Sequence, residues 1–137
     1  MARSVILDTN MLLVPGQFNV DIFAEVDRVM EEPYELVVLE GTISELVKIE
    51  QTGSGEDKRA ARLGKLLVEH KKKAADGNCK GLKIIESSET HVDDAILSIA
   101  EDDTLVATND KELKRRLLEH GVRVIFLKQE QYLTVSA

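Results

Sequence analysis

The chain has 137 residues, 18 basic against 25 acidic, giving a formal charge of −7, and 43% of its side chains are hydrophobic. That length supports one domain with a real core and leaves no room for a second of useful size; the composition excludes disordered and fibrous classes. With 4% aromatic residues and no Trp, the core is expected to be built from Val, Ile, Leu and Ala, and aromatic base-stacking platforms are not expected. The single cysteine, Cys79, rules out an intrachain disulfide and a zinc cluster built on several thiolates. Residues 1–14 lack the apolar stretch of a signal peptide, and no segment approaches the ~20 apolar residues of a membrane span. The expectation is a soluble, cytoplasmic protein with no membrane partner.

Val5-Ile6-Leu7 is a short apolar run that ends abruptly in Asp8-Thr9-Asn10, as suits a strand buried on both faces. Pro15 and Gly16 break the next segment. Residues 20–32 then read as a helix, with Ile22, Phe23, Val26, Val29 and Met30 at helical spacing and Pro33 as its stop. Residues 36–39 form a second strand, and residues 42–51 a helix with Ser and Thr near its start as caps. Thr52-Gly53-Ser54-Gly55 reads as a flexible loop. A long basic helix follows over residues 58–75, with Ala61, Leu63, Leu66 and Leu67 as its apolar positions. Residues 82–85, 104–107 and 122–127 read as strands, and 91–101 and 110–120 as helices. Strands alternating with helices predict an α/β fold of three layers, α/β/α, around a central parallel sheet of about five strands, in a single domain over residues 1–137.

Charge is uneven. Residues 58–83 hold nine basic side chains against Glu69 and Asp76, a local balance of +7, so the remainder carries −14. Such a run is either a solvated helix face or a contact surface for phosphate backbone beside an acidic centre.

Two buried strands end alike, in Asp8-Thr9-Asn10 and in Thr108-Asn109-Asp110. In open parallel sheets, ligand sites lie outside the carboxyl ends of the strands, so Asp8 and Asp110 stand where chemistry is expected. Asp110 also suits the N-cap of the following helix; for Asp8 that role is weaker, because Pro15-Gly16 interrupts the next segment. Asp93 heads the apolar stripe of Ile96, Ile99 and Ala100, whereas Asp94 points about 100° away, toward Leu97 and Ser98. A carboxylate heading an apolar stripe is costly unless capped, paired or bound to a cation, although the helix dipole favours both acids in the first turn. Glu45 lies among apolar residues one turn into a helix, and by itself reads first as a solvent-facing helix residue. Crowded carboxylates share protons or bind hard cations such as Mg²⁺ or Mn²⁺. Two such ions about 3.5–4 Å apart can activate water and stabilise both oxygens of an in-line phosphoryl displacement. That chemistry needs no histidine base, and His70, His91 and His120 are scattered. P-loop, dinucleotide-binding and nucleophile-elbow motifs are absent.

Ile6-Leu7-Asp8-Thr9-Asn10, Ile43-Ser44-Glu45-Leu46, Val92-Asp93-Asp94-Ala95-Ile96 and the segment 106–113, taken in this order, resemble the PIN-domain ribonucleases across nearly the whole chain. Lys58-Arg59-Ala60-Ala61-Arg62 and the segment 108–116 are most similar to the archaeal and eukaryotic small-subunit rRNA-processing branch; VapC-type toxins share the acidic motifs and the size. The resemblance implies a metal-dependent endoribonuclease in which Asp8, Glu45, Asp93 and Asp110 are catalytic and hold Mg²⁺ or Mn²⁺, supported by Asn10, Thr108 and the extra acid Asp94. It implies products with 5′-phosphate and 3′-hydroxyl ends, pairing as a homodimer, and an antitoxin or a pre-ribosomal partner. Lys58, Arg59, Arg62, Lys71, Lys72 and Lys73, with Lys111, Lys114, Arg115 and Arg116, are candidates to hold the RNA backbone. Two rivals stay open: a non-catalytic RNA-binding or ribosome-assembly factor on the same scaffold, and a phosphotransferase with Asp8 as nucleophile. The second is weakened by Asn10, which stands where such an enzyme places a second Asp.

Overall fold

The computed structural model describes residues 3–87 and 91–136. Among these, six strands and six helices follow in the order β1 (Arg3–Leu7), α1 (Thr9–Phe18), α2 (Ile22–Val29), β2 (Tyr34–Leu39), α3 (Glu40–Thr52), α4 (Gly55–Lys72), β3 (Cys79–Ile85), α5 (Val92–Ile99), β4 (Thr104–Ala107), α6 (Lys111–Glu119), β5 (Arg123–Lys128) and β6 (Tyr132–Val135). The sheet order is β3-β2-β1-β4-β5-β6. All neighbours run parallel except β5 and β6. The chain leaves β1 toward β2 on one side and resumes at β4 on the other, so strand order reverses between β1 and β4. At such a switch point the flanking loops part and leave a crevice beyond the strand ends.

Side-chain alternation explains why the central strands read as unbroken apolar runs. Val5 and Leu7, Leu36 and Val38, Leu105 and Ala107 face one core. Ile6, Val37, Leu39, Val106 and Val124 face a second. The first core is covered by α1, α2, α3 and α4 through Leu12, Val26, Leu46 and Val68. The second is covered by α5 and α6 through Ile96, Leu113 and Leu117. A three-layer fold follows, with both sheet faces buried.

Several expected boundaries shift. Pro15 and Gly16 do not break the segment after Asp8: α1 runs through both. An interior proline costs about 3 kcal/mol, but Met11, Leu12 and Val14 are fully buried on this helix, and each such side chain contributes about 1.5–3 kcal/mol. Burial wins. Gly16 is required by packing, since a Cβ there would stand 2.6 Å from Ala60 Cα on α4. The expected Ser/Thr cap of α3 is not found: Leu39 occupies the cap and gives no side-chain bond. The glycine-rich loop is a tight connection of Gly53 and Ser54, and Ser54 caps α4 by accepting from the Asp57 N–H at 3.3 Å. The sheet gains a sixth strand, because Gln129 and Glu130, both with φ near +55°, turn the chain back into β6.

Thr42, on the buried side of α3, is fully shielded, and its hydroxyl finds no partner among the described residues. An unsatisfied buried hydroxyl costs about 1–3 kcal/mol. Thr42→Val is therefore expected to raise the unfolding free energy by about 1 kcal/mol in urea denaturation; a destabilised variant would mean that the hydroxyl is in fact satisfied.

No helix among the described residues is long and apolar enough to cross a membrane.

Candidate active site

Beyond the carboxyl ends of β1 and β4 lies an open cleft of about 410 Å³, lined by Asp8, Thr9, Asn10, Leu13, Glu45, Lys48, Ile49, Asp93 and Asp110. The four acids come from four elements widely separated in the chain. Asp8 ends β1 and caps α1, Glu45 lies one turn into α3, Asp93 is in the first turn of α5, and Asp110 caps α6.

Asp8 is only 4% exposed. One carboxylate oxygen accepts from the Thr9 N–H at 2.7 Å and the other from the Thr108 hydroxyl at 2.8 Å. The N-cap role that looked weak for Asp8 is thus real. Burial pushes its carboxyl up to about 6, with Asp93 and Glu45 adding repulsion and the two hydrogen bonds opposing it. Asp93 is raised as well, first by burial, then by Asp110 and Glu45, with Arg116 opposing. Asp110 is both a cap and a cleft residue: its Oδ1 accepts from the N–H groups of Glu112 at 2.9 Å and Leu113 at 3.0 Å. Glu45 is exposed and accepts from the Thr9 hydroxyl, which ties α3 to the start of α1.

Thr108 and Asn10 join the two strand ends. The Thr108 hydroxyl donates to Asp8 and accepts from the Asp110 N–H at 3.1 Å. Asn10 Oδ1 accepts from the Asn109 N–H at 2.9 Å. Thr108→Val removes the donor that holds Asp8 charged, so the Asp8 carboxyl rises further. Cleavage is expected to fall by about 10–100-fold, the usual effect of losing an outer hydrogen-bond partner. Rates on a labelled RNA at pH 7.5, with a thermal melt to confirm folding, test this; an unchanged rate would reduce Thr108 to a packing role.

Asp94 does not join the cleft. It turns to Arg116 of α6 at 2.9 Å, and the pair lines an adjoining pocket of about 290 Å³ with His91, Val92, Glu45 and Asp93. The helix-face argument that separated Asp93 from Asp94 thus matches their positions. His91 is an exposed helix-start residue with no capping bond.

The candidate RNA-contacting residues are spread over α4 and α6. Arg62 shares Glu50 with Lys65, at 3.1 and 2.5 Å. Lys72 pairs with Glu69 at 3.6 Å, and Lys71 sits 5.7 Å over the Phe23 ring. Arg115 is held between Glu112 and Glu119, both at 2.5 Å, while Lys114 lies 3.4 Å over the Phe126 ring. Lys58 is half-buried, and Arg59, Lys73 and Lys111 are exposed. Sequence reasoning missed Lys48, Thr9, Leu13 and Ile49 as cleft residues. Lys48 had a readable signal: three residues after Glu45, it shares that helix face.

The donor set is all oxygen, and Asp8 and Asp93 are pushed toward protonation first by burial and then by neighbouring acids, which is chemistry a hard cation relieves. Among the described residues no three His, Cys, Asp or Glu side chains converge into a ready metal cage. The arrangement fits an ion of the Mg²⁺ kind, which keeps several waters and takes only one or two carboxylates together with substrate phosphate.

The family profile described as "PIN like domain" matches residues 5–130. The chain belongs to that family. It is 27% identical over 135 residues to ribonuclease VapC4 of Methanocaldococcus jannaschii, covering 96% of this chain and 95% of that protein. It is 28% identical over 136 residues to ribonuclease VapC9 of Archaeoglobus fulgidus, covering 98% and 90%. Its fold matches the solved PIN domain endonuclease Utp24 with a TM-score of 0.70 at 22% identity, covering 97% of this chain and 90% of that one.

Proposed function

We propose that this protein is a metal-dependent endoribonuclease that hydrolyses RNA phosphodiester bonds, with Asp8, Glu45, Asp93 and Asp110 as its catalytic and metal-holding acids. The observation that carries the reading is the meeting of these four acids, from four separate elements, in one open cleft at the switch point of the sheet. The names of the VapC relatives and of Utp24 support nuclease chemistry. A divalent cation, Mg²⁺ or Mn²⁺, would be held by one or two of these acids at a time and would supply charge neutralisation and an activated water. The protein's own part is to hold the acids apart and oriented. Thr108 and the Thr9 N–H keep Asp8 ionised, the first turn of α6 fixes Asp110, and the Thr9 hydroxyl fixes Glu45.

The setting we favour is a cytoplasmic single-domain ribonuclease of the VapC kind, paired as a homodimer and restrained by an antitoxin; processing of rRNA within a pre-ribosomal particle shares the same chemistry. The decisive experiment is cleavage of a labelled structured RNA with Mn²⁺, Mg²⁺ or EDTA, comparing the native protein with Asp8→Asn. Cleavage that needs both metal and Asp8 is expected. RNA binding without cleavage under any condition would replace this reading with a non-catalytic RNA-binding module.

A further inference from the structure

Two cations flank the acids of the cleft. Lys48 is the one basic side chain lining the main cleft, and it is exposed. Among the described residues it forms no ion pair with any of the four acids around it; the Thr52 hydroxyl donates to its backbone carbonyl at 2.8 Å. Its ammonium is thus left to the solvent side of an acidic cleft. Arg116 is the one Lys or Arg side chain lining the adjoining pocket, where His91 also lies, and it is half-buried and fixed by Asp94 at 2.9 Å. The two pockets share a wall, Glu45 and Asp93. The acids are therefore flanked, with a cation on either side of that wall. One is a flexible point charge on α3, and the other is a planar guanidinium whose direction is set by a carboxylate.

We propose that Lys48 and Arg116 anchor two phosphates of the RNA backbone, one on each side of the Glu45–Asp93 wall, and that Asp94 is a positioning residue for Arg116. The inference rests on the nuclease reading in one respect only, that the ligand is RNA. Its physical basis is charge. A polyanion is repelled by Asp8, Glu45, Asp93 and Asp110, and cations that neutralise its flanking phosphates lower that barrier as the reacting one is brought in. A guanidinium pre-oriented by a carboxylate loses little freedom when it takes a phosphate with two parallel N–H bonds. The arrangement also gives Asp94 a purpose. The backbone is directed across the shared wall, from the α3 side to the α6 side, which places the phosphate between the anchors over the acids.

The test is binding of a fluorescein-labelled stem-loop RNA, followed by anisotropy in EDTA between 50 and 200 mM NaCl, for the native protein, Lys48→Ala, Arg116→Ala, Arg116→Lys and Arg123→Ala. Arg123 is exposed at the start of β5, at the amino end of the parallel strands and so at the end away from the cleft, and serves as an equal-charge control. Lys48→Ala and Arg116→Ala are each expected to lose about tenfold in affinity at 100 mM salt and to reduce the salt slope by about 0.7–0.9. Arg116→Lys should restore the slope, and Arg123→Ala should leave it alone. In cleavage assays with Mn²⁺, Asp94→Asn should raise KM about threefold with kcat retained, as for a lost orientation rather than a lost charge.

Slopes unchanged in both alanine variants overturn the anchors, as does lost activity at constant slope, which would make Lys48 and Arg116 counter-charges for the acids. A collapse of kcat in Asp94→Asn without a change in KM overturns the positioning role. The nuclease reading fails separately. If the anchors reduce the slope but the native protein never cleaves RNA, the binding path stands and the nuclease does not. If the native protein cleaves while the slopes are flat, the reverse holds.

Discussion

Asp8→Asn is expected to abolish cleavage, by about a thousandfold or more, and at the same time to raise the melting temperature in metal-free buffer at neutral pH. The two effects share a cause. Asp8 is buried, faces Asp93 and Glu45, and has its carboxyl pushed up to about 6 from an ordinary 3.8. A carboxyl raised in the folded state is easier to ionise in the unfolded chain, so its ionisation opposes folding. That penalty is absent below about pH 4, grows as pH rises toward 6, and is complete above it. Two units correspond to about 3 kcal/mol. The amide keeps an oxygen for the Thr9 N–H and offers an N–H to Thr108, so we expect a net gain of about 1–3 kcal/mol at pH 7.5 that vanishes at pH 4. Calorimetry at the two pH values checks this. A variant destabilised equally at both would mean that the acid is not under electrostatic strain, and its place at the head of the site would lose its energetic argument.

Gly64→Val is expected to unfold the protein more readily than any surface change, at a cost of about 3 kcal/mol or more, or a loss of about 10 °C. A Cβ at Gly64 would stand 2.6 Å from the Leu12 carbonyl oxygen, and one at Gly16 would stand 2.6 Å from Ala60 Cα. Helices α1 and α4 therefore cross backbone to backbone at two glycines, with no flexible side chain to yield. Because α1 begins with Asp8, Thr9 and Asn10, any shift of its axis also moves the site. Activity per folded molecule is expected to fall together with stability. Gly55→Ala is the comparison: its Cβ would meet only Arg59 Nη1, at 3.6 Å, and it should be neutral or stabilising by up to about 1 kcal/mol. Equal melting temperatures for the two variants would show that the helices part easily.

These glycines also show what could be read from the chain beforehand. The central strands were legible because burial on both faces leaves unbroken apolar runs; residues 104–107 were bounded as β4 is. Helix α1 was not legible. Pro15 and Gly16 are breakers by local rule, yet one is outweighed by three buried neighbours and the other is demanded by Ala60, a contact 44 residues away that no local pattern reveals. Strand β6 was missed because its hairpin turns on Gln129 and Glu130, which adopt positive φ without a glycine or an Asn-Gly pair to announce it. Asp8, Asp110 and Asp93 were legible as candidates from strand ends and a helix face, whereas Glu45, a solvent-facing helix residue by local reading, entered only through the family resemblance. Thr9 and Thr108, which hold them, were obscure or only guessed, since a hydroxyl's partner is set by tertiary packing.

The bond from Thr108 to Asp8 spans 100 residues of chain, and that from Asn109 to Asn10 spans 99. Strand β1 pairs early with β2, but its other neighbour, β4, arrives only after α5 has been made. During synthesis, then, the acids stay scattered until nearly the whole fold has left the ribosome exit tunnel. A nascent chain shorter than about 110 residues holds Asp8 without its Thr108 donor or Asp110 beside it. Assembly of the cleft is thereby tied to completion of the chain, because its last acid, Asp110, and the Thr108 donor lie in the final third of the sequence.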